Sequence, residues 1–305
     1  MAHSASPVKQ RRAATPRSMG GEHGHFITSR ENKWLKTFRA ALQGKGPQAG
    51  EAIGVEGPKM VGDALRSGLQ PEALLLSQSG ERDGEQVARA ARQGGMEAER
   101  ILRTTDKLFQ TVTATDRPQG VAALFRQPAW RIEDVLRGAG DMRDRSPLLI
   151  ALAAVQDPGN VGTVVRSAEA FAATGVAVTR GSADPWSPKA LRASAGSALR
   201  LPLLRGMAIP ILIAQLKVGG LTLYAATSKN AARGDGPGIS FESDLTGPVA
   251  IFIGNEGGGL PAEVMHSVDR VISIPIGGDV ESLNAGIAAS ILLYEAARQR
   301  KLVSP

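Results

Sequence analysis

The sequence predicts an α/β protein built from two units in which strands and helices alternate. Short apolar runs such as 148–155 alternate along the chain with segments of helical periodicity. Glycine-rich loops follow several of those runs, and a charged stretch at 131–146 divides the chain in two. With 305 residues, 42% of them hydrophobic, the chain is long enough for one large or two modest cores.

The composition restricts the chemistry. The chain has 36 Lys+Arg and 29 Asp+Glu, a formal charge of +7, which favours polyanionic partners without identifying one. It has no cysteine, so disulfides, thiolate nucleophiles and cysteine-ligated zinc are excluded. Three of the four histidines (His3, His23 and His25) lie near the N-terminus, which leaves no histidine metal cage and no Ser-His-Asp triad. We therefore expect no metal.

The longest apolar runs, 148–155 and 286–294, are far shorter than the ~20 residues that span a bilayer. The basic N-terminus is not followed by an apolar segment, so it does not read as a secretory signal. We expect a cytoplasmic protein without a membrane partner.

The first unit follows a polar leader. Residues 1–24 are predicted to be a disordered basic tail, either a weak RNA tether or a solubilising leader. Residues 25–130 alternate in an αβαβαβ order, beginning with a helix around Trp34 and ending with the strand 121–125. Arg30 and Lys33 on the first helix are candidate phosphate contacts, although charged runs are more often solvated faces. Residues 131–146 have little periodic apolar content and are predicted to be a linker.

Residues 147–305 form the second predicted unit. Its strands read as nearly continuous apolar runs, which is typical of a mostly parallel sheet with helices on both faces. Ligands of such sheets bind beyond the carboxyl ends of the strands. The unusual loops of this unit follow its strands, at 157–160, 228–238, 254–259 and 277–284.

The last strand, turn and helix occupy 272–298. Ser282, Leu283 and Asn284 are predicted to open the helix. Helical spacing predicts one buried face and one solvent face; the buried face holds Ile287, Ile291, Leu292 and Ala296, and the solvent face holds Glu295, Arg298 and Arg300.

Common nucleotide-binding fingerprints are absent. The loop at Gly159 has Val161 where a GxGxxG motif needs glycine, and the loop at Gly254 has Glu256 at the second glycine position. No GxxxxGK[ST] motif occurs either, so phosphate-loop chemistry is excluded.

Three ordered motifs carry a family resemblance. They are VQDPGNVGTVVRSAEAF at 155–171, IFIGNEGGGL at 251–260 and ISIPIGGDVESLNAG at 272–286, with SPKALRASAGS between the first two. Together they resemble the SpoU family of RNA ribose 2′-O-methyltransferases, and residues 26–126 resemble the ribosomal-protein-like αβ domain that binds substrate in many of these enzymes. Ala172 departs from the family pattern, which usually has glycine there.

The resemblance implies a deep trefoil knot in the C-terminal unit, S-adenosylmethionine as cofactor, and a homodimer whose site is completed by both subunits. It implies an RNA substrate, ribosomal RNA more than tRNA. Val164, Val165 and Ala168 are expected to contribute apolar surface to the dimer, together with the C-terminal helix. The implied cofactor-binding residues are Ala226, Thr227, Gly254, Asn255, Glu256, Gly257, Ile274, Ile276, Ser282, Leu283 and Asn284.

The same motifs imply five catalytic positions: Arg166, Asn160, Glu256, Ser282 and Asn284. Methylation of a ribose hydroxyl needs an aligned oxygen and help in removing its proton. Arg166 is implied as base or as phosphate-orienting group, and we favour the second because a guanidinium holds its proton at neutral pH. The alternative is an ion pair with Glu169.

Asn160 and Asn284 are expected to fix loops and ribose, Ser282 to cap the helix and Glu256 to brace the site. For Asn160, Ser282 and Glu256 a purely structural capping role stays open.

Lys189 and Arg192 are expected to form an RNA-binding rim with Arg166. Trp186 is either a stacking surface for a base or a packing anchor. Two functions from other classes stay open: a noncatalytic RNA-binding or ribosome-assembly protein on the same fold and, less favoured, a small-molecule nucleotide enzyme.

Overall fold

The structure, a computed structural model, describes residues 25–44, 52–228, 238–255, 257–277 and 279–301. Predictions that concern residues 1–24 and Glu256 therefore lie outside the described residues.

The described part confirms the α/β class and contains two sheets. The first has the strand order β1-β4-β3-β5-β2. Its strands are β1 (Phe26–Ile27), β2 (Ile53–Glu56), β3 (Pro71–Ser77), β4 (Ile101–Thr104) and β5 (Val121–Phe125). Its helices are α1 (Lys33–Gln43), α2 (Pro58–Arg66), α3 (Glu81–Gln93) and α4 (Asp106–Gln110).

Strand β5 runs antiparallel to β2 and β3, whereas the pairs β1–β4 and β3–β4 are parallel. The carboxyl ends of β1, β2, β3 and β4 therefore lie at one edge of this sheet, beside the start of β5. The helices α1, α2, α3 and α4 all begin near that edge. The edge consequently gathers the first residues of four helices and the loop before β5.

Within the described residues the second sheet has seven strands in the order β10-β12-β9-β11-β6-β7-β8, and all of their pairings are parallel. Its strands are β6 (Leu148–Leu152), β7 (Gly175–Thr179), β8 (Leu203–Met207), β9 (Thr222–Thr227), β10 (Gly238–Ile239), β11 (Val249–Ile253) and β12 (Arg270–Ser273). Its helices are α5 (Ile132–Arg137), α6 (Pro158–Ala170), α7 (Pro188–Ala193), α8 (Ile209–Val218), α9 (Ala262–Ser267) and α10 (Ala285–Gln299). The central strands β6 and β11 are buried along their whole length, as their continuous apolar sequence predicts.

The chain changes direction across this sheet after β8. Strand β9 pairs with β11 on one side and with β12 on the other, so each of these strands is reached by a crossover rather than by simple succession. The carboxyl ends of β9, β11 and β12 lie side by side at one edge. The trefoil knot stays a prediction.

A helix forms inside the segment predicted to be a linker. Val135 on α5 is fully buried, and a Cβ added to Gly175 at the start of β7 would lie 2.6 Å from its Cβ. Arg131 immediately precedes α5, and its backbone N–H donates to the Asp134 side chain at 2.7 Å. The segment is short, so its few apolar residues gave too weak a period to predict the helix.

The predicted faces of the last helix are confirmed at Leu292, Ala296 and Arg298 and are wrong at Ile287, Ile291 and Glu295. Ile287 and Ile291 are 52% and 37% exposed, whereas Glu295 is 9% exposed and pairs with Arg298 at 2.7 Å. The buried side of α10 consists of small and apolar residues: Ala285, Gly286, Ala289, Leu292, Leu293, Ala296 and Ala297. Small side chains let α10 approach α6 closely, and a Cβ on Gly286 would already lie 3.1 Å from Thr163. Close backbone packing therefore selected the alanine face over the isoleucine face.

Arg300, predicted to face solvent, is half-buried instead. Its guanidinium donates to the carbonyls of Ser146 and Leu245 at 2.7 Å and of Pro147 at 3.0 Å. Burial lowers its pKa to about 10, and the charge of Asp244 opposes that shift only in part. These bonds attach the end of α10 to the starts of β6 and β11.

Candidate functional site

A cleft of about 620 Å³ opens at the carboxyl ends of β9, β11 and β12. Most of the predicted cofactor residues line it: Ala226, Thr227, Gly254, Asn255, Gly257, Ile274, Ile276, Ser282 and Leu283. Asn284 does not line the cleft, and Glu256 lies outside the described residues. The end of β9 and the loops of two motifs, 251–260 and 272–286, therefore meet in one cavity of the size that holds a nucleoside-sized ligand.

The glycine loop after β11 has a tight, closed shape. Asn255 and Gly259 exchange two backbone hydrogen bonds, of 3.1 Å and 2.8 Å, and the Asn255 side chain accepts from Gly257 N–H at 2.8 Å. Asn255 also donates to the Ala154 carbonyl at 3.2 Å, which ties the loop to the end of β6. A Cβ on Gly254 would lie 2.4 Å from the Gly259 backbone. Only glycine at this position allows the loop to close.

The cleft suits a ligand with an apolar body and a few polar groups. Leu260, Met265 and Ile272 contribute apolar walls. The Thr227 hydroxyl is buried and has no hydrogen-bond partner among the described residues, so a bound molecule that reaches it would satisfy it. These properties fit the adenosine and thioalkyl parts of S-adenosylmethionine.

Two predicted asparagines meet beside this cleft. Asn284 Nδ2 donates to Asn160 Oδ1 at 3.0 Å, which joins the first turn of α6 to the start of α10. Asn284 Oδ1 accepts from the N–H groups of Gly286 at 2.9 Å and Ile287 at 3.3 Å. The cap of α10 is thus Asn284, and the expectation that Ser282 caps it is wrong. Ser282 lies two residues too early to reach the free N–H groups of a helix that begins at Ala285.

Arg166 is exposed on α6 and does not line the cleft. Within the described part of the chain no hydrogen bond or ion pair involves its guanidinium. The alternative ion pair with Glu169 does not form, because both Glu169 oxygens accept from Arg200 at 2.6 Å. Burial raises the pKa of Glu169, but hydrogen bonds from Arg200 and Ser197 and the Arg200 charge outweigh it and hold that pKa below its ordinary value. Arg166 is thus available to a ligand.

The two cations of the predicted RNA-binding rim differ: Lys189 is paired with a carboxylate, and Arg192 is exposed. Lys189 Nζ lies 2.7 Å from Asp157 Oδ1, and Asp157 also caps α6 by accepting from Gly159 N–H at 2.7 Å. The hydrogen bonds from Lys189 and Gly159 lower the pKa of Asp157. Arg192 on α7 is exposed.

Trp186 proves to be a packing anchor. It is 5% exposed, and its Nε1 donates to the Ala198 carbonyl at 3.0 Å. Arg205 covers its ring at 5.3 Å. A buried indole offers no face to an RNA base.

The first sheet contacts the rim of the second. A Cβ on Gly44, at the end of α1, would lie 3.3 Å from Pro188 Cδ at the start of α7. Glu56, at the end of β2, is half-buried; burial raises its pKa, and hydrogen bonds with Thr115 and Gln119 and the charge of Arg192 oppose that rise. Arg30 and Lys33 are exposed at the same sheet edge. The edge where the helices of the first sheet begin thus continues towards Arg192.

Sequence reasoning missed several residues that line the cleft. Ser228 directly follows the predicted Thr227, and Glu281 lies inside the third motif beside Ser282 but was not itself named as a cofactor-binding candidate. Met265 lies on α9, between two motifs, and nothing in its local sequence marks it.

Two further properties concern the described residues. No helix among them is long and apolar enough to cross a bilayer. No three histidine, cysteine, aspartate or glutamate side chains of this part are grouped so that they could hold a metal ion.

A parallel α/β sheet with a glycine-lined cleft at three neighbouring strand ends defines a nucleoside-cofactor-binding protein. Comparisons with known proteins identify its family. Residues 147–294 match the SpoU rRNA Methylase family, and residues 32–123 match the MRM3-like substrate binding domain. The chain belongs to the SpoU family of RNA methyltransferases.

Relatives extend over nearly the whole chain. An uncharacterised tRNA/rRNA methyltransferase of Mycobacterium leprae is 31% identical and covers 97% of this chain and 100% of its own length. The 23S rRNA (guanosine(2553)-2′-O)-methyltransferase of Bacillus subtilis is 30% identical over 88% of this chain and 97% of its own. An AdoMet-bound rRNA methyltransferase from Sinorhizobium meliloti superposes with a TM-score of 0.77 at 31% identity, covering 93% of this chain and 100% of that one. The cofactor is S-adenosylmethionine, as the motifs implied.

Proposed function

We propose that this protein methylates a ribose 2′-hydroxyl of ribosomal RNA. The observation that carries the proposal is Arg166, an exposed guanidinium that has no partner among the described residues, on the helix that Asn160 and Asn284 fasten to the cofactor cleft. The 2′-O activity named for the Bacillus subtilis relative supports the choice of the ribose oxygen.

The reaction needs few groups from the protein. When bound, S-adenosylmethionine supplies a methyl group made electrophilic by a positive sulfonium. That chemistry would pass the methyl carbon from sulfur to the ribose oxygen, which gives up its hydroxyl proton. Arg166 binds an RNA phosphate, orients the hydroxyl and favours its loss of a proton through positive charge; the phosphate relays that proton to water. The Asn160–Asn284 hydrogen bond holds the α6 start and the cofactor loop in register.

We propose that residues 25–130 bind the RNA substrate, that 131–146 connect them to the catalytic domain at 147–305, and that this domain is knotted. Support for RNA binding comes from cations at one edge of the first sheet. Lys59, Lys107 and Arg117 are exposed there beside Arg30 and Lys33. Asp106 and Asp116 share this edge, so its charge is mixed, but Asp106 is engaged by the Ser79 backbone N–H at 2.9 Å. Cations that follow the edge towards Arg192 and Arg166 would guide an RNA backbone to the cleft.

We also propose a homodimer, in which a second copy covers α10. Exposed apolar side chains follow one side of this helix: Ile287, Ile291 and Tyr294 are 52%, 37% and 48% exposed. Phe171 extends this row through an edge-to-face contact with Tyr294, with ring centroids 5.7 Å apart. Val164, Val165 and Ala168 are each 0% exposed, so the expectation that they supply the dimer surface is wrong; they face the core of their own subunit. Because Arg166 does not line the cleft of its own chain, a site completed by both subunits is consistent with this arrangement.

Mapping ribose methylation in the RNA of a strain that lacks this protein tests the proposal. We expect one ribosomal nucleotide to lose its 2′-O-methyl group and to regain it when the wild-type protein is restored, but not with Arg166→Ala. Loss of a tRNA ribose methylation instead would support the tRNA alternative. An unchanged methylation map, together with no binding of S-adenosylmethionine by calorimetry, would support the noncatalytic alternative.

A further inference from the structure

Glu281 contributes a carboxylate to the wall of the cofactor cleft. It lies on the segment between β12 and α10, next to Ser282. Among the described residues that line the cleft, Glu281 is the one with a charged side chain. The other described residues of the wall are apolar or neutral, for example Met265, Ile274 and Leu283. A single carboxylate in such a wall favours a ligand that carries a positive charge close to it.

The carboxylate of Glu281 has no protein partner in the part of the chain that the structure describes. It is exposed, and no hydrogen bond or ion pair involves it there. Glu295 on the following helix, by contrast, is held by Arg298 at 2.7 Å, and Glu169 on α6 is held by Arg200 at 2.6 Å. These two carboxylates are thus paired within the protein, whereas Glu281 is available to a ligand.

The cofactor changes charge during the reaction. S-adenosylmethionine carries a positive sulfonium, and the spent S-adenosylhomocysteine carries a neutral thioether at the same position. The adenosine, ammonium and carboxylate groups of the two molecules are the same. A carboxylate that acts on the sulfonium therefore stabilises the donor and not the product, whereas contacts with all other groups stabilise both equally.

We propose that Glu281 determines specificity between these two molecules by attracting the sulfonium charge. It favours the methyl donor over the spent product and so limits product inhibition. The proposal rests on the cofactor of the family and does not depend on which RNA is methylated.

The test compares the binding of three ligands by calorimetry: S-adenosylmethionine, S-adenosylhomocysteine, and sinefungin, in which a protonated amine carries the positive charge. For Glu281→Gln we expect the Kd of the two charged ligands to rise about three- to tenfold and that of S-adenosylhomocysteine to change by less than about twofold. Glu281→Lys should weaken the charged ligands further. Asp279→Asn is the matched control, since it removes the same charge from an exposed position two residues away that does not line the cleft.

An equal rise in Kd for all three ligands would overturn the proposal, because it would assign Glu281 to the ammonium or to the shape of the cleft. Unchanged binding of all three would overturn it as well. If Asp279→Asn also weakened binding of only the two charged ligands, the effect would come from the net charge of the protein, and a specific role of Glu281 would be contradicted. Melting curves of each variant check that the fold is intact, and the readout is binding alone, so failure here leaves the proposed methylation site untouched.

Discussion

Replacing Arg166 by alanine should separate catalysis from stability. The guanidinium is exposed and unpaired among the described residues, so its removal should change the free energy of unfolding by less than about 0.5 kcal/mol. If Arg166 orients the ribose, the methylation rate should fall by at least ~10²-fold, which corresponds to about 2.7 kcal/mol of transition-state stabilisation. Arg166→Lys should recover little activity, because an ammonium lacks the two-pronged contact of a guanidinium with phosphate.

Arg200→Ala is the matched control, because Arg200, between α7 and β8, pairs with Glu169 on the same helix α6. Arg200 and Glu169 form a two-point ion pair with side chains 34% and 33% exposed, and its loss leaves a half-buried carboxylate without its partner. We expect about 1–2 kcal/mol of destabilisation, discounted for partial exposure, and a Tm lower by about 3–6 °C. The chemical step should stay within about threefold of the wild-type rate, since Arg200 does not line the cleft.

The loss of folding free energy caused by Arg200→Ala should also depend on pH. Glu169 has a pKa held below its ordinary value of 4.5, so its pairing stabilises the folded state above that pH and ceases to do so as the pH falls through the folded-state pKa. The stability difference between wild type and Arg200→Ala should therefore be full at neutral pH and shrink below pH 4.5.

Single-turnover methylation and thermal melting together test whether Arg166 has a catalytic or a structural role. Full activity in Arg166→Ala would refute the catalytic role. A large drop in Tm for the same variant would show that Arg166 has a structural partner and would refute the reasoning from its exposure.

Three further predictions concern the loop, the dimer and the strained residue. Gly254→Ala should lower S-adenosylmethionine affinity at least ~10-fold, because its Cβ would lie 2.4 Å from the Gly259 backbone; unchanged binding in calorimetry would contradict the closed loop. Ile291→Glu should convert the dimer to a 31.9 kDa monomer in light scattering, whereas Ile211→Glu, at a 54% exposed position on α8, should not; a monomeric wild type at working concentration would refute the dimer. Ala172→Gly should raise the free energy of unfolding by about 0.5–1 kcal/mol, because Ala172 has φ +61°, where alanine is strained and glycine is not; a lower Tm would contradict this.

Much of the local structure followed from the sequence. Continuous apolar runs predicted buried parallel strands such as β6 and β11 because only strands covered on both faces avoid polar positions. The three ordered motifs identified the family, and most of the cofactor-binding residues that the resemblance implied do line the cleft, since loops at neighbouring strand ends have to meet at one edge.

The face of α10 and the partners of charged residues were decided by the tertiary structure. Periodicity alone allowed Ile287 and Ile291 to be core residues, but the backbone of α6 approaches closely enough that alanine and glycine occupy the contact. In the sequence, Glu169 lies three residues after Arg166 and was a candidate ion-pair partner for it. In the structure, Glu169 pairs instead with Arg200, which is distant in the sequence. A residue three positions along a helix is only one candidate partner, whereas the fold brings residues 31 positions apart within 2.6 Å. The sequence therefore determined the family and the chemistry of the loops, and the packing of helices determined which charges were left for ligands, because burial and long-range pairing depend on the whole chain.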